Sequence, residues 1–272
     1  MRNLLCAVAW ALAAPAALAC TAVDWLAVPL PSGGDAMEIA LETAYPGSDL
    51  NRAAGQFTTA DGQSVPYRGQ ADVAPLDRLA NASIGDQFYY TYPLAFDLES
   101  RKQAWVDPGR LRNDAFFRAL YFNREGAARA TLVRVLYAGP TRRAAFQATT
   151  KHCVHAQLSA ALTEIAALGA PMDRFFENAG GSFNWRKISG TDRLSAHSFG
   201  IAVDFNTQLG GYWRWSGAKP GQASRYDNNF PPELVGIMER YGFIWGGKWH
   251  HFDGMHFEYR PELILMARLV GG

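Results

Sequence analysis

The sequence predicts an α+β fold, and three observations carry that expectation. Apolar residues recur at helical spacing in the second half of the chain. Short runs rich in strand formers, separated by turn residues, lie before and between those stretches. Of 272 residues 49% are apolar, enough to bury a sizeable core in one large domain or two small ones.

At the start, Met1-Arg2-Asn3 leads into an Ala/Leu-rich run that ends in Ala17-Leu18-Ala19. A charged head, an apolar middle and small residues at the end are the parts of a secretory signal peptide, so residues 1–19 are expected to be cleaved before Cys20. The remainder would reach the periplasm or cell envelope. The run is short and weakly apolar for a retained anchor, so no stable membrane span is expected in the mature chain. Lipidation of Cys20 is the alternative, but that route prefers Leu three places earlier, where Ala17 stands. Loss of Arg2, the only charged side chain of the leader, takes the formal charge from +1 to 0, which gives nucleic acid no basis for binding. Cys20 and Cys153 are the cysteines that remain, and an oxidising compartment predicts a disulfide between them unless Cys20 is lipidated.

From Thr21 to about Val106 the chain is broken by Pro31-Ser-Gly-Gly-Asp35, Tyr45-Pro-Gly-Ser48 and Asp61-Gly62, so residues 20–106 read as an irregular N-terminal extension with a few strands. Phe57-Thr-Thr and Ser64-Val-Pro-Tyr67 flank Ala60-Asp61-Gly62 as a hairpin, and Phe88-Tyr-Tyr-Thr-Tyr92 is rich in strand formers. Residues 107–272 read as a second, catalytic unit. Asp107-Pro108 has the form of a helix cap followed by first-turn proline, with Leu111, Phe116, Phe117 and Leu120 as the apolar side of a helix to Phe122. Thr131 to Tyr137 predicts a buried strand that pairs with Arg142 to Thr150 across Gly139-Pro140. Leu158, Leu162, Ile165 and Leu168 follow helical spacing up to Gly169. Pro232 to Tyr241 repeats the logic, with Gly242 as its stop.

Two segments carry the chemistry: Ser195-Ala-His197-Ser-Phe-Gly-Ile-Ala-Val-Asp204 and Trp249-His-His-Phe-Asp253-Gly-Met-His256-Phe-Glu258. His197, Asp204 and His256 supply three nitrogen or oxygen ligands and leave a fourth tetrahedral position for water, as a hydrolytic zinc requires, with Asp253 beside it as base. Ligands on one zinc lie ~3 to 4 Å apart, given metal bonds near 2.1 Å. His197 and Asp204 would be ~10 Å apart along a helix and more than ~20 Å apart in a straight strand, so the chain between them must reverse. Ser198-Phe199-Gly200 offers the turn, followed by a strand in which Ile201, Val203 and Phe205 alternate with Ala202, Asp204 and Asn206. Gly254 would bend the chain so that Asp253 and His256 converge. Met255 to Tyr259 reads as a short strand ended by Pro261, with His256 and Glu258 on one face.

These residues, Ser-x-His-x-x-Gly-x-Ala-x-Asp at 195–204 and Asp-x-Met-His-Phe-Glu at 253–258, resemble the zinc D-alanyl-D-alanine carboxypeptidase family. That family includes vancomycin-resistance dipeptidases and carboxypeptidases and the L-alanyl-D-glutamate endopeptidases of phage lysins, all acting on peptidoglycan stem peptides. Phe183-Asn-Trp-Arg186, Gly190-Thr, Phe243-Ile-Trp-Gly-Gly-Lys-Trp249 and Tyr259-Arg-Pro-Glu262 extend the resemblance to roughly residues 107–266, closest to the endopeptidase-like branch. It implies a hedgehog-type fold, an antiparallel sheet backed by helices with one Zn²⁺ in a groove across the sheet. It implies His197, Asp204 and His256 as zinc ligands and Asp253 as the catalytic carboxylate. Arg186 would be a strand arginine facing the scissile carbonyl oxygen, and Ser195 a residue of the substrate groove. The implied partner is a stem peptide, cut either at D-Ala-D-Ala or between L-Ala and D-Glu.

Around this set, Arg193 reads as structural, and His251 is given no catalytic role. His250 and Glu258 are candidates for backing a ligand. His152, Cys153 and His155 read as a helix start with a disulfide rather than a second metal cluster. Tyr212, Trp213, Trp215, Trp245 and Trp249 either wall the groove or pack the core. Two rival readings stand. Ser216-Gly-Ala-Lys219 and Ser182-Phe-Asn184 echo a serine penicillin-binding enzyme, although the order is wrong and no Lys-Thr-Gly follows. A zinc-binding module that performs no hydrolysis is the other.

Overall fold

Asp35 caps the first helix: its Oδ1 accepts the Glu38 N–H at 3.0 Å, and α1 (Ala36–Ala44) runs until Tyr45. The computed structural model describes residues 20–189, 191–223 and 225–271, so the expected leader at 1–19 and Gly190 of the motif lie outside the described residues. After α1 come β1 (Asp49–Asn51), β2 (Gln56–Thr58) and β3 (Ser64–Pro66), an antiparallel meander whose last two strands are the hairpin expected around Asp61-Gly62. A short α2 (Pro75–Ala80) follows.

Residues 107–122 do not form one helix. The helix is α3 (Asp114–Leu120), capped by Asn113, whose side chain accepts from Phe116 N–H at 2.9 Å. Asp107 is drawn elsewhere: its carboxylate accepts the His251 backbone N–H at 2.8 Å and pairs with the His251 ring at 2.6 Å. Nor is Phe88 to Tyr92 a strand. The Asp86 carboxylate accepts from Ser83 N at 2.9 Å and Ala71 N at 3.1 Å, winding residues Gly85–Phe88 into a 3₁₀ turn.

Beyond α4 (Glu125–Arg129), β4 (Leu132–Ala138) and β5 (Arg143–Thr149) pair antiparallel in the expected hairpin, but β4 is not the buried strand expected: only Val135 and Tyr137 are buried, and Val133 and Leu136 are exposed on the two-stranded ribbon. On them packs α5 (Val154–Ala167), burying Val154, Leu158, Leu162 and Ile165; Leu168, grouped with that face by spacing, stands past the last turn and is exposed. The sheet that carries candidate site residues consists of β6 (Ala179–Gly181), β7 (Ala202–Asn206), β8 (Phe243–Trp245) and β9 (His256–Tyr259), in the antiparallel order β6-β7-β9-β8. Between them lie α6 (Thr207–Gly210) and α7 (Pro232–Arg240), and α8 (Pro261–Val270) closes the chain against α1. The whole is α+β, as predicted, with every sheet antiparallel. No helix among the described residues is long and apolar enough to cross a membrane.

The boundary expected at residue 107 crosses one continuous core, which runs from Trp25 and Phe57 to Trp245 and Leu265. Tyr92 Oη donates to Glu239 and accepts the Trp245 N–H at 2.8 Å, and Lys248 Nζ donates to Pro93 O at 2.7 Å and pairs with Glu239 at 2.6 Å. Burial drives Glu239 up and Lys248 down from their ordinary values, and each counters the other's shift. Arg101 reaches Trp249 O at 3.0 Å and Ala223 O at 2.7 Å. Cys20 and Cys153 are disulfide-bonded, with Cα atoms 5.4 Å apart, joining the start of the described chain to the foot of α5.

Candidate metal centre

Strand register brings the site together. In the β7–β9 pair Asp204 stands opposite His256 and Ala202 opposite Glu258. Directly opposed side chains on one sheet face have Cβ atoms ~4.5–5.5 Å apart, so the carboxylate and the imidazole project into the same space. The third donor enters from the 3₁₀ turn Ala196–Phe199, and Gly200, at φ 69°, takes the left-handed conformation that folds this turn back onto β7. As a result His197 Nε2 lies 3.3 Å and His256 Nδ1 2.9 Å from Asp204 Oδ1, and one donor atom from each of the three falls within 4.8 Å of the others. The separations of 2.9 and 3.3 Å are about those of ligands around one zinc.

The outer ring nitrogens are already engaged. His197 Nδ1 hydrogen-bonds the Ser182 carbonyl oxygen, and His256 Nε2 lies 3.2 Å from Glu258 Oε2. A ring nitrogen that donates outward leaves its opposite nitrogen with a lone pair facing inward, which fixes the tautomer a metal needs. Two imidazoles and a carboxylate held this way suit zinc. Glu258 is itself fully buried and held by the Arg112 guanidinium, with Nε at 2.8 and 2.9 Å from its two oxygens, and by Arg260 Nη1 at 3.4 Å. Burial alone would raise this carboxyl, but Arg112, His256 and Arg260 hold it well below the usual carboxylate range. Asp204 shows the same contest: burial raises it, and the two histidines pull it well below. His256 is pushed down by burial and drawn up to about 9 by its bonds to Asp204 and Glu258.

Asp253 lies on the turn leading into β9, its N–H donating to Gly246 O at 3.0 Å and its O accepting from His256 N at 3.1 Å. Gly254 serves this turn through close approach rather than a left-handed φ: a Cβ there would stand 2.0 Å from Gly210 O and 2.1 Å from Tyr226 Oη. Burial pushes the Asp253 carboxyl above its ordinary value; the Asp204 charge adds to that rise, and His256 opposes it.

Arg186 and Ser195 line the same groove of about 720 Å³ as His197, Asp204, Asp253 and His256. Arg186 lies in an irregular extended stretch, not on a strand of the sheet as the resemblance implied. Its backbone N–H donates to Ser198 Oγ at 3.0 Å and its carbonyl accepts from Ser195 N at 3.0 Å, so the ligand-bearing turn also fixes where the guanidinium starts. Arg193 lines the groove as well, donating to Arg112 O at 3.3 Å; burial and the neighbouring Arg112 and Arg110 lower it to about 10.

His250 and His251 have both ring nitrogens occupied away from the donors. His250 contacts Arg101 O at 3.0 Å and accepts from Ala223 N at 3.1 Å, and His251 pairs with Asp107 and accepts from Gly221 N at 2.8 Å. They lash the 218–223 loop to the N-terminal segment. His152 contacts Leu120 O at 3.0 Å beside the disulfide. Trp245 and Trp249 are buried, donating to Gly254 O at 2.8 Å and Pro108 O at 2.6 Å. Ser216 ends a 3₁₀ turn, its Oγ donating to Trp213 O at 2.8 Å, and opens no long helix of the kind a serine nucleophile motif requires. Sequence reasoning missed Arg112, Asp107 and the Ser182 carbonyl. Arg112 is 146 residues from Glu258, and only the topology reveals the pair.

Residues 189–259 match the model of a family described as D-alanyl-D-alanine carboxypeptidase. No curated protein and no solved structure matches the chain.

Proposed function

Because residues 189–259 match the D-alanyl-D-alanine carboxypeptidases, a family of zinc peptidases, we propose that this chain is an exported zinc peptidase that hydrolyses a peptide bond in peptidoglycan stem peptides. One arrangement supports the reading above all: three donors converge within 4.8 Å, their outer nitrogens are engaged, and a carboxylate raised by burial stands in the same groove. His197, Asp204 and His256 would hold one Zn²⁺. Bound there, zinc supplies Lewis acidity toward a water and the scissile carbonyl.

The remaining work falls to the chain's own side chains. Asp253 accepts a proton from the attacking water and returns it to the leaving amine. A solvated aspartic acid, with a pKa of ~3.9, is a poor donor for the second step, and burial of Asp253 acts in the direction that step needs. Arg186 faces the peptide oxygen as negative charge develops, and Ser195 lines the peptide's path. Glu258 keeps the His256 ring in the orientation that aims Nδ1 inward.

The test is hydrolysis of purified peptidoglycan fragments by the chain from residue 20 onward, read by product mass. Release of a single D-Ala identifies a carboxypeptidase, and a cut between L-Ala and D-Glu an endopeptidase. Chelator should stop either reaction and added zinc restore it. No new product in the presence of zinc would leave a zinc-binding module as the reading.

A further inference from the structure

Resting on the peptidoglycan reading above, a second binding feature emerges at the rim of the groove. Residues Trp213–Ser216 form a 3₁₀ turn bracketed by Gly211 at φ 69° and Gly217 at φ 73°. The turn is tied down firmly. Trp213 N donates to Phe252 O at 3.0 Å, its indole is buried with Phe252 and Ala223, and Tyr212 forms an antiparallel bridge with Asp253. This anchoring presents Trp215 to solvent: 65% of its surface is accessible, against 4% for Trp213 two positions earlier. Tyr212 stands edge-on to the Trp215 ring at 6.1 Å, and Arg214 is exposed beside it. All three line the groove that holds His197, Asp204 and Asp253.

An indole left in water contributes little to the fold, yet on a fixed turn it offers a flat apolar face that needs no ordering when a ligand lies on it. A pyranose ring is the complementary shape, with C–H bonds across one face and hydroxyls around its edge. The hydroxyl of Tyr212, whose ring flanks the indole, and the exposed Arg214 guanidinium, held over the neighbouring Trp213 ring at 5.1 Å, match those hydroxyls as hydrogen-bonding partners. A stem peptide of alanines and carboxylate-bearing residues has no flat apolar face of its own, but its N-terminal end is joined to an N-acetylated sugar of the glycan strand.

We propose that Trp215, flanked by Tyr212 and Arg214, is a sugar subsite: the N-acetylhexosamine that carries the stem peptide stacks on the indole while the peptide occupies the groove. The chain would then act preferentially on peptides still attached to glycan.

The zinc-loaded chain is assayed on disaccharide-linked stem peptides and on the same peptides freed of sugar by an amidase. Wild type should favour the sugar-linked form by about tenfold in kcat/KM, Trp215→Ala should bring that ratio to about one, and Trp215→Phe should keep most of it. A wild-type ratio near one, or a ratio that Trp215→Ala leaves intact, overturns the subsite. Glycan strands stripped of peptide provide a readout independent of cleavage. They should bind wild type and lose about tenfold in affinity with Trp215→Ala. Absence of binding, or equal binding by both, counts against the subsite. If neither peptide is cut but the glycan binds through Trp215, the peptidase reading fails and the sugar subsite stands.

Discussion

At the scale of single residues, four side chains of different standing share the centre. Asp253 is expected to be dispensable for metal and indispensable for turnover. Asp253→Asn should retain about one zinc per chain by elemental analysis while kcat/KM falls by ~10²–10⁴-fold. His197→Ala should lose the zinc. Glu258 is expected to act through His256: Glu258→Gln should weaken zinc affinity by ~10–100-fold in a chelator competition. The same change removes a charge from beneath Arg112 and Arg260, and breaking a buried pair in this way costs about 3–5 kcal/mol, measurable by denaturant unfolding. That His197, Asp204 and His256 would be brought together was legible from residue type and spacing, because a zinc site calls for so particular a set. What backs them was not, since the partner of His197 is a backbone carbonyl at Ser182 and the partner of Glu258 comes from 146 residues away.

At the scale of elements, the site depends on a register and two glycines. Ile201 to Asn206 and Met255 to Tyr259 announced themselves by alternation, and the structure pairs Asp204 with His256 across them. The two glycines act differently: Gly200 supplies a backbone conformation, and Gly254 supplies the absence of a side chain. Gly254→Ala should therefore force Gly210 and Tyr226 away from the Asp253 turn, lowering stability by about 1–3 kcal/mol in thermal denaturation and weakening zinc binding with it. The helix expected from Asp107 failed for a reason at the same scale. Its capping carboxylate had a stronger offer from His251, leaving Asn113 to start the helix six residues later. Local pattern identifies candidate caps, and tertiary partners decide among them.

At the scale of the molecule, residues 20–106 and 107–271 share a core, with Tyr92, Pro93 and Arg101 holding the loop that carries Trp245 to His250. A chain begun at residue 107 should be poorly folded, showing lost near-ultraviolet circular dichroism and no cooperative melt. Composition could not reveal this, because the N-terminal segment is rich in turns and its buried anchors are scattered singly along it. The disulfide acts at this scale too. It closes a span of 133 residues, and Cys20→Ser with Cys153→Ser should cost about 2–5 kcal/mol in denaturant unfolding.

The carboxylate of Glu258 has a consequence for when the proposed zinc site could form. It is met by Arg112 from the long loop before α3, by His256 from the same strand and by Arg260 at the entrance to α8. An unfolded chain has no such meeting point, and its candidate donors are dispersed, with His256 52 positions after Asp204. Capture of the proposed zinc would therefore be a late event, available only to chains that have completed their tertiary structure. For a chain exported unfolded, as the proposed leader implies, the hydrolase would be unarmed during its passage and arm itself only on arrival at the wall.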